Sequence, residues 1–406
     1  MSQYLRIILG PEVAAASSAP ADMRRIVLIL LTLAAPAAQQ ALADGAPALR
    51  EAFADHFLIG AALDTEQILG EGQASPEFIA REFSALTAEN AMKWERIHPD
   101  EDRYVFDYAD RLTVFAKAHG LRVAGHTLVW HKQTPDWVFE DGSGNPASRE
   151  LLLARMRAHI ETVVGRYRGL VHSWDVVNEA LDADGRLRDN RWRRIIGDDY
   201  VEKAFEFAHA ADPDAELDYN DFDLFLPAKR AGAIRLLTGL RKAGIPVHGI
   251  GMQAHYRLDW PARLSDVGDS IVAFSRAGFD VMITELDVSV LPNPTEAGGA
   301  VREAGRFRHD PRFDPYTGGL PASVAAQFGQ RYVDLFSILL AHSDAVSRVT
   351  FWGVTDAQSW KNDWPMRGRT DYPLLFDREN RPKPALFRLV ALENGVGDER
   401  DPPAVR

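Results

Sequence analysis

The sequence predicts a single-domain α/β protein, a (β/α)8 barrel of the TIM type, on three observations. Eight short apolar runs alternate with amphipathic helical stretches along the chain, the pattern of a parallel sheet wrapped by helices. Most of those runs end in polar residues on their C-terminal side, the face that holds the active site in such barrels. After residue 44 no repeat, low-complexity tract or long Pro/Ser linker interrupts the chain, so one domain accounts for it.

In order, the strand candidates are "FLIGAAL" (57–63), "SALTAEN" (84–90), "RVAGHTLVW" (122–130) and "VHSWDVVNE" (171–179). They continue with "AELDYND" (215–221), "HGIGMQAH" (248–255), "DVMITELD" (280–287) and "SRVTFWG" (347–353). Between them lie helical patterns such as 108–120, 150–167 and 228–244, several of which close at a glycine, where helices commonly stop. A doubly wound open sheet would give the same alternation. It would also carry a glycine fingerprint after its first strand, and none follows residue 63.

Composition narrows the partners. Of 406 residues 46% are hydrophobic and 26% charged, as in ordinary soluble proteins. The net charge of -12, with no basic run to offset it, argues against nucleic acid and anionic membranes as partners. Cysteine is absent, which removes disulfides, thiolate chemistry and Cys-ligated zinc. There is no HExxH, and His126 and His131, five apart, would point to opposite faces of a strand. No metal and no cofactor are expected.

The N-terminus reads as an export signal. Met23-Arg24-Arg25 starts it, "IVLILLTLAA" is its apolar core, and Ala41-Leu42-Ala43 is a small-residue cleavage site. The apolar stretch is too short to span a bilayer comfortably, so no stable membrane anchor is expected. Residues 1–43 are therefore read as leader and signal, with Met23 as the true start, residues 44–395 as the catalytic domain and 396–406 as a tail. The expected location is secreted, extracellular or periplasmic.

Glu179 and Glu285 each end an apolar strand candidate. A carboxylate at the mouth of a buried strand costs free energy unless paired or hydrogen-bonded, so two of them call for a use. Two carboxylates across a site, with no metal or nucleophilic Ser or Cys in evidence, are the minimal equipment for cleaving a glycosidic bond: one donates a proton, the other attacks or activates water. Sequence spacing does not give their separation, so retention and inversion both stay open at this point. Tryptophans near the strand ends fit sugar faces. Trp174 reads as core, and Trp352 and Trp360 as sugar-facing.

Seven segments now carry a resemblance: "ENAMKWE" (89–95), "GHTLVWHKQTPDWV" (125–138), "WDVVNEALD" (174–182), "YND" (219–221), "GIGMQAHY" (249–256), "ITELDV" (283–288) and "FWGVTDAQSW" (351–360). In this order they resemble the signature segments of family 10 glycoside hydrolases, the (β/α)8 endo-β-1,4-xylanases, from about Phe57 to Phe387. The resemblance implies a retaining double displacement with Glu179 as acid/base and Glu285 as nucleophile. It implies Asn178 on the 2-hydroxyl of the reacting sugar, and His255 on the nucleophile with Asp287 behind it. Glu89, Asn90, Lys93, His126, Trp130 and Gln133 would line the non-reducing side, and Gln253, Trp352 and Trp360 the reactive sugar. Asn220 joins the substrate-binding set as a polar strand end. The barrel mouth is expected to raise the pKa of Glu179. Substrates would be xylan and xylo-oligosaccharides, met by a monomer.

Three features depart from the pattern: Asp102 replaces a frequent glycine, Lys132 sits where a small polar residue is common, and 292–320 is a long loop. A relative cleaving β-glucan or mannan is the alternative enzyme. A non-catalytic polysaccharide-binding barrel would typically lack one of the carboxylates, and both are present.

Overall fold

The computed structural model describes residues 47–294 and 310–393. Among these residues nine strands form in the order β1 (Leu58–Leu63), β2 (Ala85–Ala88), β3 (Arg122–Trp130), β4 (Ser173–Asn178), β5 (Glu216–Asp221), β6 (Gly249–Met252), β7 (His255–Arg257), β8 (Asp280–Ser289) and β9 (Val346–Phe351). Eight of them close into a parallel barrel. β1 to β6 pair in succession, β6 pairs with β8, β8 with β9, and β9 returns to β1. This is the (β/α)8 barrel, with helices following the strands. The signal segment, the proposed start and the 396–406 tail lie outside the described residues, as does most of the 292–320 loop. Among the described residues no helix is long and apolar enough to cross a membrane.

The helices end for local reasons. Asp107–His119 stops at Gly120, whose φ of 65° is open to glycine without steric cost. Arg149–Arg166 starts at Ser148, whose side chain accepts from the Leu151 amide. Pro227–Lys242 opens on proline, which needs no N–H partner in a first turn. β4 is buried along its whole length and β8 at every position after Asp280, as strands covered on both faces must be.

Two glycines make room for what the barrel encloses. A Cβ at Gly125 would stand 2.2 Å from the ring of Trp174, so the fully buried indole rests on bare backbone. A Cβ at Gly251 would stand 2.4 Å from Asn220 Oδ1.

The sixth run differs from its expected span. It breaks after Met252 because Ala254 takes a φ of 62°, and the chain resumes as β7 alongside the C-terminal half of β8. That break carries His255 past the closed barrel, while Gln253 still bonds Asp221 and Glu285 through its backbone.

Candidate active site

The C-terminal strand ends surround a cavity of about 690 Å³. Of the candidate catalytic and substrate-binding residues, all except Asn220 and Asp287 line it. A second hollow of about 600 Å³ shares Glu89, Asn90, Trp360 and Trp364 with it, so the two are parts of one groove. On one wall Asn90 Oδ1 accepts from both Lys93 Nζ and Gln133 Nε2 at 3.2 Å, and Asn90 Nδ2 donates to Glu89. The Lys93 ammonium lies over the Trp130 ring at 5.0 Å and the Trp352 ring at 5.8 Å. His126 is 1% exposed and held by Asp175 at 2.9 Å.

Glu285, at the middle of β8, is gripped on both oxygens. Asn220 Nδ2 lies 2.6 Å from Oε1, and His255 Nε2 lies 3.0 Å from Oε2. The other ring nitrogen of His255 meets Asp287 Oδ2 at 2.9 Å. Burial alone would push this histidine down, but Asp287 and then Glu285 outweigh it and raise its pKa to about 9. At neutral pH the ring is an imidazolium donating at both ends. Burial likewise opposes the charge on Glu285, yet the His255 contact, with His126 and Lys93 nearby, holds it below the usual glutamate range.

Glu179 follows β4 in a left-handed conformation, φ 57°, which costs energy in a non-glycine residue and swings its side chain out of the strand alternation. Its amide donates to Asn220 O at 2.9 Å. Oε1 accepts from Gln253 Nε2 at 3.3 Å, and the same amide nitrogen donates to Asn178 Oδ1 at 3.0 Å. Oε2 has no hydrogen-bond partner. It faces Lys132 Nζ at 3.5 Å and His131 Nε2 at 3.9 Å.

This corrects the expectation of a raised pKa for Glu179. Burial pushes it up as expected, but Lys132, then His131, with the Gln253 N–H, carry it below the ordinary glutamate value. His131 is itself pushed down by burial to about 4. At neutral pH its ring is uncharged, and the cation beside Oε2 is Lys132.

Among the described residues no group of three or more His, Asp or Glu is placed to hold a metal ion. The family model for glycosyl hydrolase family 10 matches residues 48–392. The chain belongs to this family. It is 43% identical to endo-1,4-beta-xylanase A of Xylanibacter ruminicola over 90% of this chain and 97% of that one. It is 42% identical to endo-1,4-beta-xylanase B of Paenibacillus barcinonensis over 85% of this chain and 98% of that one. The solved structure of a GH10 endoxylanase retrieved from a sugarcane soil metagenome superposes with a TM-score of 0.80 at 41% identity, covering 86% of this chain and all of that one.

In this family member one expected position changes meaning. Asn220 is fully buried, and its amide is used by Glu285, by Asn178 Oδ1 at 3.2 Å and by Thr284 Oγ1, which donates to it at 2.6 Å. It has no surface to offer a sugar and instead holds the Glu285 carboxylate. Asp287 is equally buried, behind His255 as expected. Trp174 is core, and Trp352 and Trp360 stand at the cavity with His255 between 4.8 and 6.1 Å from their rings.

Three supporting residues lie outside the set to which the sequence points. Lys132 stands out in the sequence only as a departure, and its approach to Glu179 depends on how the turn after β3 folds. Lys229 and Tyr219 clamp the segment after Glu179 through Asp221. Lys229 Nζ lies 2.7 Å from Asp221 Oδ1, Tyr219 donates to Oδ2, and the amides of Ala180 and Leu181 bond to Tyr219 and Asp221 respectively. A fully buried lysine inside a polar-looking helix leaves no mark in the sequence beyond its charge.

Proposed function

We infer that this protein is an endo-1,4-β-xylanase working by double displacement with retention at the anomeric carbon. The observation that carries this reading is the contrast between two carboxylates on one cavity. Glu285 is fixed by donors on both oxygens and kept ionised by an imidazolium, as a nucleophile requires. Glu179 keeps one oxygen without a hydrogen-bond partner, as a proton donor to a leaving group requires.

In the first step Glu285 attacks the anomeric carbon while the glycosidic oxygen takes the proton of Glu179, leaving a covalent glycosyl-enzyme. In the second, the carboxylate of Glu179 takes a proton from water, which displaces Glu285. With Asn178 Oδ1 occupied by Asn220 and Gln253, the Nδ2 hydrogens are the end left for the 2-hydroxyl of the reacting sugar. The groove wall of Glu89, Asn90, Lys93, Trp130 and Gln133 offers hydroxyl partners and an aromatic face to the sugars on the non-reducing side.

Relatives named as xylanases support xylan as the substrate. Reducing-sugar release from xylan, cellulose, mannan and β-glucan tests it: xylan should lead, and faster release from β-glucan or mannan would replace the reading. The enzyme acts as a monomer in this account, so light scattering should return one chain mass, and a stable dimer mass would contradict it.

Secretion belongs to the same proposal, supported by the Arg24-Arg25 start, the apolar core and the Ala41-Leu42-Ala43 site. Intact mass of the exported protein should place Asp44 at the N-terminus. Recovery of the full-length chain from the medium would contradict it.

A further inference from the structure

Lys132 is a cation on a movable stem beside a buried carboxylate. Its side chain is 60% exposed and that of Glu179 only 8%, with Nζ 3.5 Å from Oε2. The ammonium also lies over the Trp130 ring at 5.4 Å, and the residue lines the cavity. Because Gln253 occupies Oε1, Oε2 is the oxygen left to give a proton to a glycosidic oxygen. The substrate and Lys132 therefore compete for the same atom.

The other charged groups around Glu179 are committed elsewhere. Lys93, beyond β2, bonds Asn90 and sits among Glu89, Glu179 and Glu285. Arg188, after β4, donates to the carbonyl of Glu179 at 3.1 Å and pairs with Asp182 at 3.3 Å. Asp221, on β5, is paired with the buried Lys229. Glu285, on β8, is held by His255 and Asn220. His131, after β3, is neutral at working pH because it is buried. Only Lys132 among these couples a full charge at Oε2 to a side chain that can withdraw into water.

Resting on the reading of Glu179 as acid/base, we propose that Lys132 is a positioning residue that sets the protonation of Glu179 through substrate occupancy. In the free enzyme the ammonium keeps Oε2 ionised. An entering sugar displaces the ammonium into solvent, the lone carboxylate loses its counter-charge, and it takes up a proton from water before donating it to the leaving oxygen. The same ammonium returns as the aglycone departs and favours the ionised form that must deprotonate water. A small polar side chain at this position could hydrogen-bond but could not supply that charge.

The test is the pH dependence of kcat/KM, which reports free-enzyme ionisations. On xylohexaose, whose leaving group needs the acid, Lys132→Met should move the alkaline limb up by about one pH unit, the scale of one partly exposed ion pair at this distance. Methionine keeps the stem over Trp130, so a packing loss alone would lower the rate without moving the limb. Lys132→Arg should keep the limb where the parent has it. Raising salt to about 1 M should shift the unmutated enzyme's limb upward and leave the methionine variant's nearly still, since exposed charges are screened over a few ångströms at that strength. A limb that coincides in parent and Lys132→Met, or that ignores salt in the parent, overturns the proposal. A dinitrophenyl xylobioside, whose phenolate leaves without a proton, separates the two levels. Its kcat/KM should lack the Glu179 limb in both proteins. If the limb persists there, the acid is not Glu179 and the underlying reading fails instead.

Discussion

Trp360 Nε1 donates to Asp287 Oδ2 over 2.8 Å, the same oxygen that accepts from His255 Nδ1. A residue placed at the cavity for its apolar face is therefore also the outer end of a chain running Trp360, Asp287, His255, Glu285. Lys361 Nζ, 3.6 Å from Asp287 Oδ1 and 4.4 Å from the Trp360 ring, closes the cluster from the other side. Cavity lining and the support of Glu285 share one side chain.

Substitution at Trp360 should separate these functions. Trp360→Phe keeps a ring and loses the N–H, a hydrogen bond to a charged group worth about 1.5–3 kcal/mol. We expect kcat to fall by roughly 10- to 100-fold, with the preference for aryl xylobioside over aryl cellobioside retained. Trp360→Ala should also narrow that preference, because the space taken by the indole opens to the C5 hydroxymethyl. Steady-state kinetics on both glycosides check this. A phenylalanine variant with parental kcat would detach Trp360 from the nucleophile.

His255 gives a pH prediction with a definite sign. Its folded pKa, about 9, lies above the ordinary histidine value of 6.5. A raised pKa means the folded state holds the proton more tightly, so the contribution is complete below pH 6.5 and is lost as pH rises through 9. Unfolding free energy should decline over that window, by an amount of order 3 kcal/mol from this group, and His255→Gln should flatten the decline. Ring carbon chemical shifts should report an imidazolium at pH 7. A neutral ring at pH 7 would refute the assignment.

Gly251→Ala tests the hidden support of Glu285. The new methyl would press on Asn220 Oδ1, and overpacking of this kind costs about 1–3 kcal/mol. Calorimetry should show a lower Tm, and kcat should fall further than at a glycine remote from the site, such as Gly165, where an added Cβ meets nothing within 4 Å. Parental kcat in Gly251→Ala would show that the Asn220 contact does not matter to the nucleophile.

The eight barrel strands are legible because each is a short apolar run and most have a polar end, and the carboxylates because a charge there is out of place. Asn220 was misplaced for the same reason that Glu285 was found. Both are polar residues closing apolar runs in the sequence, and period-two alternation does not say which looks into the cavity and which lies beneath it. The break at Ala254 left no signal, since alanine is not a residue that announces a positive φ. Lys132 was visible as an oddity, but the direction of its side chain is set by the turn after β3, which no local pattern encodes.

In the proposed mechanism Glu179 and Glu285 divide the chemistry as acid/base and nucleophile. Glu285→Ala should lose hydrolysis of every substrate, because no glycosyl-enzyme can form. Glu179→Ala should lose xylan cleavage yet still form the glycosyl-enzyme from dinitrophenyl xylobioside. Azide added to that variant then provides the most direct measurement, since the second displacement by an anion needs no base. Turnover should be rescued and yield a β-xylobiosyl azide, identified by the anomeric coupling in its proton NMR spectrum. An α-azide, or no rescue with equal damage in both variants, would contradict it.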